Sequence, residues 1–156
     1  MGKISLEIIN EDNLREVVSL SNTLSDYQKR CVAPNVFSIA EAYVNPLKAW
    51  PRAIYLDDQP IGFVMISLDE PDAIKQDQPA YYLWRFMIGG QYQQKGYGKQ
   101  VLDLIVQKCK EEHIKTLYAS CEMIGEQPYQ FYIKYGFIDT NEKDDDEEIL
   151  KLYINN

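Results

Sequence analysis

The sequence predicts an α/β fold, a mixed sheet with helices packed on it. Short apolar runs with strand patterning alternate with segments whose apolar residues recur at helical spacing, in the order β-α-α-β-β-β-α-β-α-β-β. No repeat, linker or shift in composition divides the chain, so residues 1–156 read as a single domain. A length of 156 residues allows a hydrophobic core without disulfide or metal staples.

Residues 4–9 alternate loosely and read as a first strand. Asp12 is placed to cap a helix over 13–21, on which Leu14, Val17, Val18 and Leu20 form an apolar stripe. A polar stretch follows to Asn35, and its Tyr27, Gln28, Lys29 and Arg30 are compatible with another helix. Ser38-Ile39-Ala40-Glu41 has the form of a capping box, so a helix is expected to run to Val44 and stop before Pro46. Residues 52–56 and 61–68 read as strands joined by the turn Asp57-Asp58-Gln59-Pro60, and the acid- and proline-rich tract 69–79 as a loop.

Residues 81–88 form an aromatic, apolar strand that Gly89-Gly90 ends. Leu102, Ile105, Val106 and Cys109 give helical spacing over 98–112, and 116–120 reads as a short strand. Pro128 suits the first turn of a helix over 129–135, and Gly136 suits its end. Residues 137–140 and 149–153 close the sheet as a hairpin.

Composition excludes several classes. Apolar residues make up 46% and charged residues 26%, the profile of a globular protein. No apolar run approaches the roughly 20 residues that span a bilayer, so no membrane partner is expected. The N-terminus lacks the apolar core of a secretion signal, and a cytoplasmic location is expected. Cys31, Cys109 and Cys121 are odd in number and form no CxxC pair, which argues against a disulfide framework and a zinc site. His113 stands alone, excludes a His-rich metal centre, and reads as a surface residue near a helix end. The net charge of −8 disfavours nucleic acid and favours cationic partners. The run Asp144-Asp145-Asp146-Glu147-Glu148 reads as a solvated turn.

The chemistry concentrates in Gln93-Gln94-Lys95-Gly96-Tyr97-Gly98, between strand 81–88 and the long helix. Backbone N–H groups at a helix start are unpaired and, with the helix dipole, favour an anion such as phosphate. Gly96 and Gly98 would let the backbone approach it closely, and Lys95 and Lys99 reverse the local sign of an acidic protein. The loop is not a Walker loop, because no Gly-Lys-Ser/Thr follows. A dinucleotide fold is also excluded, because Val101 stands where a third glycine belongs.

With these motifs in order, the chain resembles the GNAT acetyltransferase superfamily over nearly its full length. Residues 92–99 look like that family's pyrophosphate loop, and Phe131-Tyr132-Ile133-Lys134-Tyr135-Gly136-Phe137 like its later Tyr-x-x-x-Gly-Phe motif. Strand 81–88 is similar to that of bacterial members described as spermine/spermidine or diamine acetyltransferases. The resemblance implies an α+β fold with a mixed, mostly antiparallel twisted sheet of six to seven strands and helices on both faces. It implies acetyl-CoA as cosubstrate, no metal, and a small-molecule amine acceptor, and it allows a homodimer.

Residue by residue, the resemblance implies that the main chain of Phe86, Met87 and Ile88 pairs with the pantetheine arm. The N–H groups of Gln93, Gln94, Lys95, Gly96, Tyr97, Gly98 and Lys99 would hold the pyrophosphate. Tyr132 would be the general acid toward sulfur, and an N–H at Met87 or Ile88 would stabilise the oxyanion. Glu122 is the candidate base or amine anchor, Glu41 a second acid facing the acceptor, and Tyr27, Trp84 and Tyr129 an aromatic wall. Gln94, Gly89-Gly90, Gly125 and Pro128 depart from common family residues; at Gly125 many members carry an asparagine that contacts coenzyme A. Alternatives that stay open are a protein or peptide N-acetyltransferase and a non-catalytic CoA-binding regulatory module.

Overall fold

The computed structural model describes residues 2–122 and 127–155, except for the side chain of Gln127. The strands are β1 (Ile4–Glu7), β2 (Ala49–Leu56), β3 (Gln59–Ser67), β4 (Ala80–Ile88), β5 (Thr116–Glu122), β6 (Ile138–Asp144) and β7 (Glu147–Tyr153). The helices are α1 (Leu14–Ser19), α2 (Asp26–Cys31), α3 (Asn35–Val44), α4 (Tyr97–Glu111) and α5 (Gln127–Tyr135). One seven-stranded sheet runs β1-β2-β3-β4-β5-β7-β6, antiparallel throughout except for the parallel pair β4–β5.

The alternation of β3 explains the layers. Val64 and Ile66 face one way and pack with Val101, Leu102 and Ile105 of α4 and Tyr132 of α5. Phe63 and Met65 face the other way and pack with Val17 of α1 and Ala42 of α3. Helices therefore cover both faces of the sheet.

The sequence misplaced several local signals. Asp12 does not cap α1: its own N–H and that of Asn13 donate to the Asn10 side chain at 2.9 and 3.2 Å. After Ser19 the helix tightens to a 3₁₀ turn over Leu20–Thr23. The capping box belongs to Ser25 and Gln28 at the start of α2, where Ser25 accepts from the Gln28 N–H at 3.2 Å and Gln28 accepts from the Ser25 N–H at 3.1 Å. Ser38 lies buried inside α3, which starts earlier, at Asn35. Asn35 is itself buried and donates to the Val17 carbonyl at 2.9 Å, tying α3 to α1. The acidic run is only partly a turn: Asp145 takes a left-handed φ of 53°, while Glu147 and Glu148 lie in β7. His113 is exposed, left-handed at φ 59° just past α4.

Two features position the site. The 69–79 loop is anchored by Asp77, whose buried carboxylate accepts from the Tyr118 hydroxyl at 2.5 Å and the Lys151 ammonium at 2.9 Å. In β4, Arg85 pairs with Met65 and Leu83 with Ile66, leaving Trp84 as the extra residue of a β-bulge. β4 pairs with β5 only at Ala80, Tyr81 and Tyr82, whereas β5 stays paired to β7 from Thr116 to Glu122. A bulged strand bends, and past Tyr82 the two parallel strands part.

Candidate active site

The parting of β4 and β5 opens a cleft of about 1600 Å³ that reaches from α2 across the sheet to α4 and α5. One wall is the unpaired edge of β4. The Gly89 N–H donates to the Ile61 carbonyl on β3 at 2.7 Å. Backbone groups alternate along a strand, so Met87 also turns toward β3 while Phe86 and Ile88 turn theirs to the cleft. Of the three residues expected to offer main chain, Met87 is paired with Phe63 of β3, and its side chain is buried. The Ile88 carbonyl is already taken, accepting from the Gln93 amide at 2.8 Å.

The loop after β4 owes its shape to two left-handed residues. Gln94 has φ 60° and Gly96 φ 86°, after an extended Gln93 and ahead of α4. Left-handed backbone is costly with a Cβ, so Gln94 holds a conformation that glycine would adopt without strain. A Cβ built on Gly96 meets nothing within 4 Å, so this backbone faces open space. A Cβ on Gly98 would lie 3.2 Å from the Phe131 ring, so that glycine makes room for α5. No side chain caps α4, and Gly96, Tyr97, Gly98 and Lys99 border the cleft with its first-turn N–H groups unfilled by any cap. Lys99 bonds Asp103 at 3.1 Å, and Lys95 makes no ion pair among the described residues. The Gln93 side chain exchanges amide bonds with Gln28 of α2 at 3.0 and 3.3 Å, coupling the loop to the opposite wall.

Tyr132 projects from α5 into the cleft, only 8% exposed, with Phe137 edge-on at 5.2 Å and Phe131 at 5.4 Å. Its hydroxyl has no hydrogen-bond partner among the described residues. Burial, then the neighbouring Cys121, Tyr82 and Glu147, push the phenol above its usual range, so it stays protonated. Burial likewise pushes the Cys121 thiol up to about 12, which removes it as a nucleophile near neutral pH.

The other end of the cleft is acidic. Glu122 of β5 is half-buried and stands opposite Glu147 of β7 in the strand register. Glu147 accepts from Ser120 at 3.4 Å, and Ser120 in turn hydrogen-bonds the Tyr82 hydroxyl across the point where β4 and β5 part. Burial raises the Glu147 carboxyl above its usual range; the Ser120 bond opposes that shift and the charges of Glu122 and Asp144 add to it.

The expected acceptor residues divide. Tyr27 lines the cleft, beside Cys31, which raises its phenol to about 12, and under the Arg30 guanidinium at 5.8 Å. Trp84 also lines it, but Lys48 and Arg85 already sit over its ring at 5.5 and 5.7 Å. Glu41 is neither a capping residue nor free toward the acceptor: it pairs with Arg85 at 2.9 Å. Tyr129 donates to Asp139 at 2.9 Å. Gly125 lies outside the described residues. Glu147, Ser120, Tyr82 and Gln28 were missed. Glu147 left no clear signal, because Glu147-Glu148 continue the acidic run before the apolar residues of the last strand begin.

No group of three or more metal-ligating side chains occurs among the described residues, and no helix there is long and apolar enough to cross a membrane. A slot between parted parallel strands, ending at an uncapped helix start, suits an extended ligand with a phosphate-bearing end. Residues 16–137 match the model of the acetyltransferase (GNAT) family, and the chain belongs to that family, the acetyl-CoA-dependent acetyltransferases. The fold is similar to the GNAT domain of S. lividans PAT, with TM-score 0.76 and 15% identity over 97% of this chain and 90% of that one. It is also similar to the PaiA N-acetyltransferase of Thermoplasma acidophilum, solved with coenzyme A, with TM-score 0.69 and 17% identity over 97% and 99%. The ribosomal-protein-S18-alanine N-acetyltransferase of Escherichia coli gives TM-score 0.68 and 13% identity over 100% and 96%.

Proposed function

We propose that this acetyltransferase moves the acetyl group of acetyl-CoA to a primary amine of a small cationic acceptor, a polyamine such as spermidine or spermine, by direct attack with both substrates bound. The observation that carries this reading is the carboxylate pair Glu122 and Glu147, facing each other at the end of the cleft opposite the cofactor loop. A net charge of −8 adds a long-range field that draws cations.

The residues present fit acetyl-CoA. Left-handed Gly96 leaves open space beside the uncapped start of α4, where backbone N–H groups suit a pyrophosphate. The free edge of β4 at Phe86 and Ile88 suits the amides of the pantetheine arm, in the manner of an added strand. When bound, acetyl-CoA supplies a thioester carbon open to attack.

This chain's residues then position and polarise. The Ile88 N–H is the donor assigned to the oxygen that gains charge. Tyr132 donates to the sulfur as negative charge develops there. With its phenol raised and a thiol near ~8.5, it acts chiefly as a hydrogen-bond donor and passes a proton only as it recovers one. Glu122 anchors the acceptor's ammonium groups.

The test is thiol release from acetyl-CoA across spermidine, spermine, putrescine, amino acids, aminoglycosides and peptides. Polyamines are expected to give the highest kcat/KM. Activity with peptides alone would overturn the polyamine reading, and coenzyme A binding without amine-dependent release would leave a regulatory module.

A further inference from the structure

Glu147 was hidden in an acidic run, yet it occupies the most chemically loaded point of the cleft. Tyr82 is the last β4 residue paired to β5, and its hydroxyl bonds Ser120 across the fork where the strands part. Ser120 donates onward to Glu147 at 3.4 Å, so a hydroxyl chain ends on a carboxylate. The same cleft holds the hydroxyl of Tyr132, a residue only 8% exposed, and that hydroxyl has no hydrogen-bond partner among the described residues. A carboxylate and an unpartnered phenol thus share one space, one suited to accept a proton and the other to give one.

We infer that Glu147 is the group that takes the proton from the acceptor's ammonium, with Ser120 and Tyr82 as the residues that position it. The inference rests on the amine-acceptor reading above. The ammonium gives one proton to the Glu147 carboxylate. The freed nitrogen lone pair forms the N–C bond, and the C–S bonding pair leaves with sulfur. Sulfur takes the Tyr132 proton, Tyr132 recovers the second proton shed by nitrogen, and Glu147 returns the first to solvent. One proton is released for each ammonium acetylated.

The surroundings tune this carboxylate in opposite directions. Burial raises its pKa, as do Glu122 on β5 and Asp144 on β6, whereas the Ser120 hydrogen bond and the Arg85 guanidinium on β4 lower it. Tyr82, Cys121 and Tyr132 also face it. A raised carboxylate is the better base toward an amine, because the pKa gap it must cross is smaller. Glu122, exposed to the same cleft but with no hydrogen bond from the described residues, serves as an anchor.

The test is the pH profile of kcat/KM for spermidine, read by thiol release from acetyl-CoA, in wild type and variants. Glu147→Gln is expected to lower kcat/KM by about 100-fold and to erase the acid limb, with the coenzyme A Kd and melting temperature held. Glu147→Asp should restore part of the rate. Ser120→Ala should move the acid limb to higher pH and Glu122→Gln to lower pH, shifts a merely structural role would not produce. An unchanged acid limb in Glu147→Gln, or loss of that limb in Glu122→Gln alone, would overturn the assignment. If wild type transfers nothing to spermidine, the polyamine reading fails. The same variants assayed with a peptide bearing a free N-terminal alanine then test Glu147 on its own.

Discussion

The two halves of the β4–β5 junction are built by opposite rules. At residues 80–82 the strands are paired, and most polar side chains nearby are tied to protein partners, although Thr116 Oγ1 and Asp77 Oδ1 are not. Asp77 holds Tyr118 and Lys151, and Tyr81 reaches Glu112, which also takes Lys108 at 2.5 Å. Beyond the bulge at Trp84 the same strands stand apart; the cleft-facing N–H groups of Phe86 and Ile88, the start of α4 and the Tyr132 hydroxyl have no protein partners among the described residues, and the Ile88 carbonyl takes only the Gln93 amide. The closed half spends its polar groups on stability, and the open half keeps them for ligands. A fold of this kind needs the first to tolerate the second, since an unpaired buried polar group costs about 1–3 kcal/mol.

Breaking the closed half should have the largest effect on stability. Asp77→Ala leaves Lys151 and Tyr118 without a buried partner, and is expected to cost about 3 kcal/mol and roughly 10 °C in melting temperature by calorimetry. Its pH dependence has a definite sign. Burial opposes ionisation of Asp77, but the Tyr118 and Lys151 bonds win and hold its pKa below the usual value. The stabilisation it gives is present above the unfolded-state value near ~3.9 and fades as pH falls through the lower folded value. Wild type should therefore lose melting temperature more steeply than Asp77→Asn between about pH 5 and pH 2.

Changes in the open half should move stability less than Asp77→Ala does and act mainly on function. Tyr132→Phe is expected to lower kcat by about 100-fold with little change in acetyl-CoA affinity, checked by steady-state kinetics and titration calorimetry. An unchanged rate would remove the hydroxyl from the mechanism. Gly96→Ala forces a side chain into left-handed backbone, a strain of about 1–2 kcal/mol, and is expected to weaken coenzyme A binding about tenfold. The smallest effect runs the other way: Gln94→Gly relieves a left-handed glutamine and should stabilise the protein by up to about 1 kcal/mol, read from denaturant midpoints.

How legible all this was in the sequence follows the range of the interactions. β4, α4 and the β2–β3 hairpin rest on local periodicity and turn residues, and the sequence placed them to within a few residues. Ser38-x-x-Glu41 and Ser25-x-x-Gln28 both satisfy the capping-box pattern, and only tertiary packing, which buries Ser38, separates them. The Asp77 anchor could not be read, because its partners lie 41 and 74 positions away. The loop with its left-handed turn at Gly96 was legible from two glycines after a strand, whereas the close approach of Gly98 to Phe131 depends on packing between α4 and α5. The Trp84 bulge left no mark in an aromatic run, yet it opens the slot.

The slot itself is the claim to test. Amide hydrogen exchange, with and without saturating coenzyme A, reads it residue by residue. Protection is expected to rise at Phe86, Ile88 and residues 94–98, and to stay unchanged at residues 80–82. Protection gained elsewhere, with Phe86 and Ile88 unaffected, would contradict it.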